Sequence, residues 1–96
     1  AATNEILRYI GKKPYMEIGG SRNENTSLIE VRVGETSDVV GKSLREIPLP
    51  SECVIVGLEH NYRPKMPTGD DILHAGDSLI AVIGKEQMKA FLKLIR

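Results

Sequence analysis

The sequence lacks several features that would assign it to a common functional class. Its 96 residues include one cysteine, so no disulfide forms within the chain, which favours a reducing compartment such as the cytoplasm. The longest apolar run covers residues 79–83, whereas a membrane-spanning helix needs about twenty residues. Thirteen basic residues balance thirteen acidic ones, and this lack of a basic excess argues against nucleic-acid binding.

Nucleotide-binding motifs with a recognisable glycine pattern are also absent. No G-x-G-x-x-G segment occurs. The segment Gly41-Lys42-Ser43 resembles the end of a P-loop, but the first glycine of that motif would fall at Thr36. The sequence therefore predicts no nucleotide hydrolysis and no Rossmann-type nucleotide site within this chain.

The side chains that most often act in catalysis or bind metals do not have the usual spacing. His60 and His74 are fourteen residues apart and both fall in predicted turns. We interpret them as turn histidines, with ligand contact or pH sensing as the alternative. Cys53 lies in an apolar strand, where a thiol is usually inert packing. Three acidic residues suggest a calcium loop, but the closing Glu of an EF-hand is missing, so we interpret them as turn residues: Asp70, Asp71 and Asp77. We therefore predict no catalytic residue, no metal site and no enzyme activity.

The chain divides into two parts of different character. Residues 1–25 are predicted to form a helical arm, with a helix over 4–10, followed by a flexible linker rich in glycine, serine and asparagine. The sequence leaves open whether this part is an ordered arm or the frayed end of a crossover helix. Because the chain begins at Ala1 rather than Met, we expect a processed protein or a piece of a longer one.

Residues 26–96 have the regular pattern of one small domain. Alternation over residues 28–33 predicts a strand with one apolar face, formed by Ile29, Val31 and Val33. The segment Cys53–Leu58 is apolar on both sides and is expected to be a central, covered strand. Val40, Leu44 and Ile47 form an i, i+4, i+7 stripe that predicts a helix. A second helix is predicted over 86–96 from apolar residues at i, i+3, i+4 and i+7, which are Met88, Phe91, Leu92 and Ile95. The order is β-α-β-β-β-α, and the short gaps favour an α+β fold whose mostly antiparallel sheet has its helices packed on it.

The same segments, taken in order, resemble the C-terminal lobe of RCK proteins, the TrkA-C domain. The family pattern is a strand, a G-K-S-L-R-E-L helix, an I-V-G-I strand, a hairpin ending in I-P, and L-x-x-G-D-x-L-x-V-I-G. At the corresponding places this chain reads G-K-S-L-R-E-I, V-I-V-G-L, M-P and L-H-A-G-D-S-L-I-A-V-I-G. The matching segments are residues 28–33, 40–47, 49–50, 54–58, 66–67 and 70–84. This resemblance covers about three quarters of the chain, and it departs from the family at the hairpin turn, 60–64, where many members have Arg-x-Gly.

The resemblance implies a function that composition alone does not indicate. It implies a cytoplasmic regulatory domain of a potassium or other cation channel or transporter, peripheral to the inner face of the membrane through the parent transporter. The expected partners are a second copy, a membrane channel or transporter subunit and a Rossmann-like lobe in the parent chain. Some family members bind cyclic di-AMP at the dimer interface. The alternative is a structural assembly domain of another transporter, with no ligand of its own.

A ligand site is expected around the predicted first helix. Lys42 and Arg45 are cations beside apolar groups, a combination suited to an anionic ligand that carries a base. Val40 and the Leu49-Pro50 corner complete the predicted site. The alternative is that Lys42 and Arg45 are charges on a solvated helix face.

Overall fold

The computed structural model describes residues 15–20 and 25–96. Within these ranges the chain forms a five-stranded sheet, two 3-10 helices and one α-helix. The strands are β1 (Tyr15–Gly20), β2 (Thr26–Arg32), β3 (Cys53–His60), β4 (Arg63–Lys65) and β5 (Ser78–Gly84). The 3-10 helices are Leu44–Glu46 and Lys85–Gln87, and the α-helix, α1, is Met88–Ile95. The predicted α+β class is confirmed.

The sheet has the order β1-β2-β5-β3-β4, and all neighbouring strands are antiparallel. The last strand, β5, lies at the centre, with Leu79 opposite both Val31 of β2 and Leu58 of β3. The expectation that Cys53–Leu58 forms a central, covered strand is therefore wrong. β3 pairs with β5 on one side and with only three residues of β4 on the other.

One face of the sheet carries the core of the domain. The amphipathic α1 packs there, and its Phe91 and Ile95 are fully buried, as the i, i+4 spacing predicts. Gly34 allows the helix end to approach: its N–H donates to the Ile95 carbonyl at 3.1 Å, and a Cβ would lie 2.6 Å from the Arg96 carbonyl oxygen. The other buried apolar side chains are Ile29, Val31, Val33, Val39, Ile47, Leu58, Leu73, Leu79, Ala81 and Ile83.

The predicted helix over 40–47 is not formed. Gly41 has φ +86°, and its N–H donates to the Leu73 carbonyl at 2.8 Å, while the Leu73 N–H donates to the Lys42 carbonyl at 2.9 Å. These bonds pair the segment with a neighbouring loop, so only the 3-10 helix Leu44–Glu46 remains. Val39 is buried in place of the predicted Val40, which is exposed.

Part of the predicted N-terminal arm and linker belongs to the sheet. Residues 15–20, placed in the arm by the sequence pattern, form β1 and pair with β2, with Tyr15 opposite Val31. The predicted helix over 4–10 lies outside the described residues. Tyr15 packs against the core, so the sheet extends beyond the predicted boundary at residue 26.

The β3–β4 hairpin turns tightly at Asn61 and Tyr62. Both residues have positive φ, 52° and 64°, as a two-residue type I′ turn requires. The tight turn lets the two strands pair up to its edge. As a result β3, predicted to end at Leu58, continues to His60.

The face of the sheet opposite α1 is also rich in apolar side chains, and it is uncovered among the described residues. We call it the open face and define it by Met16, Leu28, Val54, Ile80 and Val82, which neighbouring strands place side by side. Val54 is 58% exposed and Met16 is 45% exposed. Gly57 lies on the same face, where a Cβ would come within 3.2 Å of the Ile80 Cβ.

Candidate functional site

A cleft of about 290 Å³ lies between the first 3-10 helix, the start of β3 and the loop before residue 70. Apolar and small groups dominate its walls, with one cation at the rim. The lining residues are Leu44, Arg45, Leu49, Cys53, Val54, Ile55, Pro67, Thr68 and Gly69. Such a surface suits a flat apolar group that carries an anionic part.

Arg45 forms the charged rim of the cleft. Its backbone N–H donates to the Gly69 carbonyl at 2.9 Å, which ties the 3-10 helix to the opposite loop. The guanidinium lies over Gly69, where a Cβ would come within 3.1 Å of a terminal nitrogen. Nη1 donates to Asp70 Oδ1 at 2.7 Å, and both side chains are exposed. Because water screens such a pair strongly, the guanidinium is available to an anionic ligand.

Two carboxylates hold the walls of the cleft in place. The Ser43 N–H and hydroxyl each donate to Glu46 Oε1 at 2.9 Å, and these two bonds lower the pKa of Glu46. The Lys65 ammonium donates to Asp71, and the Thr68 N–H donates to Asp71 Oδ2 at 2.7 Å. The bonds from Lys65 and Thr68 lower the pKa of Asp71. Both loops are therefore fixed by charge-assisted hydrogen bonds.

Cys53 lines the inner part of the cleft. Burial raises the pKa of its thiol to about 11, so the group is protonated at neutral pH. A thiol in this state is a weak nucleophile and packs as a small apolar group. This agrees with the interpretation of Cys53 as inert packing.

The structure brings together only part of the predicted site. Arg45 and Leu49 line the cleft, whereas Val40, Lys42 and Pro50 are not among its lining residues. Val40 and Lys42 belong to the segment that pairs with residues 71–73 instead of forming a helix, which moves them away from the cleft. The contribution of residues 67–69 was missed, because only the fold places that turn opposite Arg45. The Pro-Thr-Gly composition indicated a turn but not its neighbour.

The comparison with family models decides the classification. The model described as "TrkA-C domain" matches residues 28–96. The chain belongs to the TrkA-C domain family. The resemblance noted from the sequence is therefore confirmed, and this TrkA-C domain comprises every strand from β2 onward together with α1.

A curated relative comes from Archaeoglobus fulgidus. It is the "Trk system potassium uptake protein TrkA homolog", 32% identical over 89 residues, which cover 93% of this chain and 20% of the relative. A homologue from Methanosarcina mazei is 25% identical over the whole of this chain, which covers 21% of it. The chain thus spans about a fifth of the length of the curated relatives it matches.

Solved structures share the same fold. The GsuK RCK domain has a TM-score of 0.70 at 22% identity, over 84% of this chain and 18% of that one, and this likeness concerns the fold alone. The RCK_C domain dimer of Streptococcus agalactiae BusR in complex with c-di-AMP has a TM-score of 0.56 at 27% identity, over 68% of this chain and 88% of that one. In the described residues of this TrkA-C domain, no helix has the length and apolar character needed to span a membrane.

Proposed function

We propose that this TrkA-C domain is a regulatory, non-catalytic domain of a potassium transport system, and that a small anionic effector binds in the Arg45 cleft. The cleft itself carries the proposal, because it combines apolar walls with one accessible guanidinium. The similarity to the TrkA homologue of A. fulgidus supports the link to potassium uptake.

The proposed effector is a nucleotide-like anion, and cyclic di-AMP is the first candidate. The BusR domain dimer, which is similar to this chain, is a complex with that molecule. Leu44, Leu49 and Ile55 offer apolar surface to a base. The planar guanidinium of Arg45 can donate hydrogen bonds to a phosphate when its bond to the Asp70 carboxylate breaks.

The proposed active form is a homodimer built on the open face. Val54 belongs both to that face and to the lining of the cleft. A second copy packed against the open face would therefore cover apolar surface and close one side of the cleft. An effector in that position acts on the dimer through its difference in affinity between two arrangements of the subunits.

The proposal includes the rest of the parent protein and its membrane partner. The parent protein supplies a Rossmann-like lobe and acts on a membrane-bound potassium channel or transporter subunit from the cytoplasmic side. The domain has no role in nucleic-acid binding, which its balanced charge does not favour. The competing proposal is an assembly domain that dimerises but binds no effector.

Calorimetry with cyclic di-AMP tests the cleft. Removing the Arg45 guanidinium by Arg45→Ala deletes charge-assisted hydrogen bonds, so we expect affinity to fall roughly 10- to 100-fold. The matched control is Lys42→Ala, a cation three residues away that does not line the cleft. It should leave affinity unchanged.

Sedimentation of the same samples separates the two proposed functions. A dimer whose melting temperature rises with cyclic di-AMP concentration supports the effector site by mass action. A dimer that binds no cyclic di-AMP and shows no melting shift supports the assembly domain. Equal losses of cyclic di-AMP affinity in Arg45→Ala and Lys42→Ala would show that the effector does not bind in the cleft.

A further inference from the structure

Outside the cleft, three side chains with metal-binding atoms meet where β3 ends and β5 begins. His60 is the last residue of β3, and Asp77 immediately precedes β5. Glu59 lies opposite Ser78, so the next step along this antiparallel pair brings His60 beside Asp77. His74 joins them across the tight turn that ends at Asp77, whose backbone N–H donates to the His74 carbonyl.

The distances among the three groups lie on both sides of the separation expected between two ligands of one ion. His60 Nδ1 lies 2.5 Å from Asp77 Oδ1, and His74 Nδ1 lies 3.7 Å from Asp77 Oδ2. One ligand atom from each residue lies within 4.8 Å of the others. Ligands at tetrahedral zinc, about 2.0–2.1 Å from the ion, are roughly 3.3 Å apart. Small rotations of two partly exposed imidazoles would therefore bring the three atoms into range.

The carboxylate of Asp77 is already fixed in position. Its side chain is 2% exposed, and Oδ2 accepts the His74 backbone N–H at 2.9 Å. Among the described residues, its side-chain ion pairs are with the two histidines, and no lysine or arginine joins them. A buried carboxylate of this kind is stabilised by a cation bound between it and the imidazoles.

The two histidines give an ion access from solvent. Their side chains are 44% and 57% exposed, and the ring centroids are 4.7 Å apart. Asn61 Nδ2 lies 3.2 Å from His60 Nε2, the ring nitrogen that faces away from Asp77. If His60 binds an ion through Nδ1, then Nε2 carries the proton, and this N–H group donates a hydrogen bond to the Asn61 amide oxygen once that amide is rotated.

We propose that His60, His74 and Asp77 bind one divalent cation of the zinc class, with a fourth position open to water. Two imidazole nitrogens and one carboxylate oxygen match the ligands that zinc takes in three-ligand sites. Calcium and magnesium prefer all-oxygen surroundings, which this cluster does not offer. The ion would join the β3–β4 hairpin to the turn that leads into β5.

Zinc titration of the full chain by calorimetry, with cobalt(II) absorption as a second readout, tests this site. We expect one ion per chain and the ligand-field bands of tetrahedral cobalt without a thiolate charge-transfer band. His74→Ala should weaken zinc binding at least about 100-fold, because losing an outer-shell partner already costs 10- to 100-fold. His74 is exposed, so this variant should keep the fold.

The matched control is Asp70→Asn, which changes an exposed carboxylate four positions before His74 that pairs with Arg45 and not with the histidines. It should bind zinc as the original chain does, and Cys53→Ser should as well. A zinc-dependent rise in melting temperature that His74→Ala abolishes would support the site. Unchanged zinc affinity in His74→Ala, an equal loss in Asp70→Asn, or no saturable binding of either metal would overturn it.

Discussion

Both faces of the sheet carry apolar side chains, although the open face also carries Glu30 and Ser78, and the two faces have opposite surroundings. On the covered face, Ile29, Val31 and Ala81 are at most 1% exposed beneath α1. On the open face, Val82 follows Ala81 in β5, and Val54 lies opposite Val82. These two side chains are 36% and 58% exposed. Alternation along each strand therefore separates two apolar surfaces, of which the described part of the chain covers one.

This difference indicates that the covered face stabilises the folded domain and that the open face is available to bind another protein surface. A sheet that faces water on one side usually carries polar residues there. Here Leu28, Val54 and Val82 form an apolar patch beside Glu30, and the described residues leave this patch uncovered. A second copy of the domain, as in the proposed dimer, would give it a partner.

The largest effect is expected on the covered face. Phe91 is fully buried against the sheet, and Phe91→Ala removes its ring and leaves a cavity. We expect a loss of about 3–5 kcal/mol in the free energy of unfolding, measured by urea denaturation. Lys93→Ala, on the exposed side of the same helix, should change it by less than about 0.5 kcal/mol. Equal losses in both variants would contradict the assignment of the core.

If Phe91→Ala does not fold, the milder Phe91→Leu still tests the covered face. It keeps most of the apolar volume, so a smaller loss than for alanine is expected.

A smaller effect is expected on the open face, and it concerns association. Val82→Lys places an ammonium group at the centre of this face, where a symmetric dimer brings two such groups together. We expect the dimer dissociation constant to rise roughly 100-fold, since desolvating unpaired charges costs several kcal/mol. Sedimentation measures the constant, and urea denaturation of the monomer should show little change.

Tyr62→Asn is the matched control for this experiment. Tyr62 is 89% exposed in the hairpin turn, outside the open face, and asparagine tolerates its positive φ. A dimer weakened by Tyr62→Asn and not by Val82→Lys would place the interface at the hairpin instead.

Much of the fold could be predicted from periodicity, since strands and helices are local patterns. The i, i+3, i+4 spacing located α1, and alternation located β2 with Ile29, Val31 and Val33 inward. The order of the sheet is a long-range property, and apolar residues on both sides made β3 resemble a central strand. The segment over 40–47 satisfied a helical stripe, but pairing with residues 71–73 gave its backbone other hydrogen-bond partners.

The functional residues were less predictable, because each candidate site joins segments distant in sequence. Arg45 was identified from its chemistry, while its contact with Gly69 depends on how two loops meet. His60 and Asp77 meet because β3 and β5 are neighbours, although seventeen positions separate them. Spacing rules detect ligands on one helix or one loop, and they fail when a sheet brings the ligands together.

The smallest expected effect compares two adjacent positions of β3, one on each face. Cys53 lies opposite Ile83 and packs against the core, whereas Val54 lies opposite Val82 on the open face. Burial raises the pKa of the Cys53 thiol to about 11 from its ordinary value of 9.0. The thiolate fraction at pH 8 is therefore roughly 100-fold lower, and the greater nucleophilicity of a high-pKa thiolate offsets about a tenfold part of this.

Iodoacetamide labelling of dilute protein at pH 8 should therefore modify Cys53 about tenfold more slowly than the thiol introduced by Val54→Cys in a Cys53→Ser background. The folded state holds the Cys53 proton more tightly than the unfolded chain does, so this contribution to stability is complete below about pH 9 and is lost as the pH rises toward 11. At higher protein concentration the proposed dimer covers Val54, and labelling there should slow more than labelling of Cys53. Equal labelling rates at the two positions would show that the two faces do not differ in solution as they do in the structure.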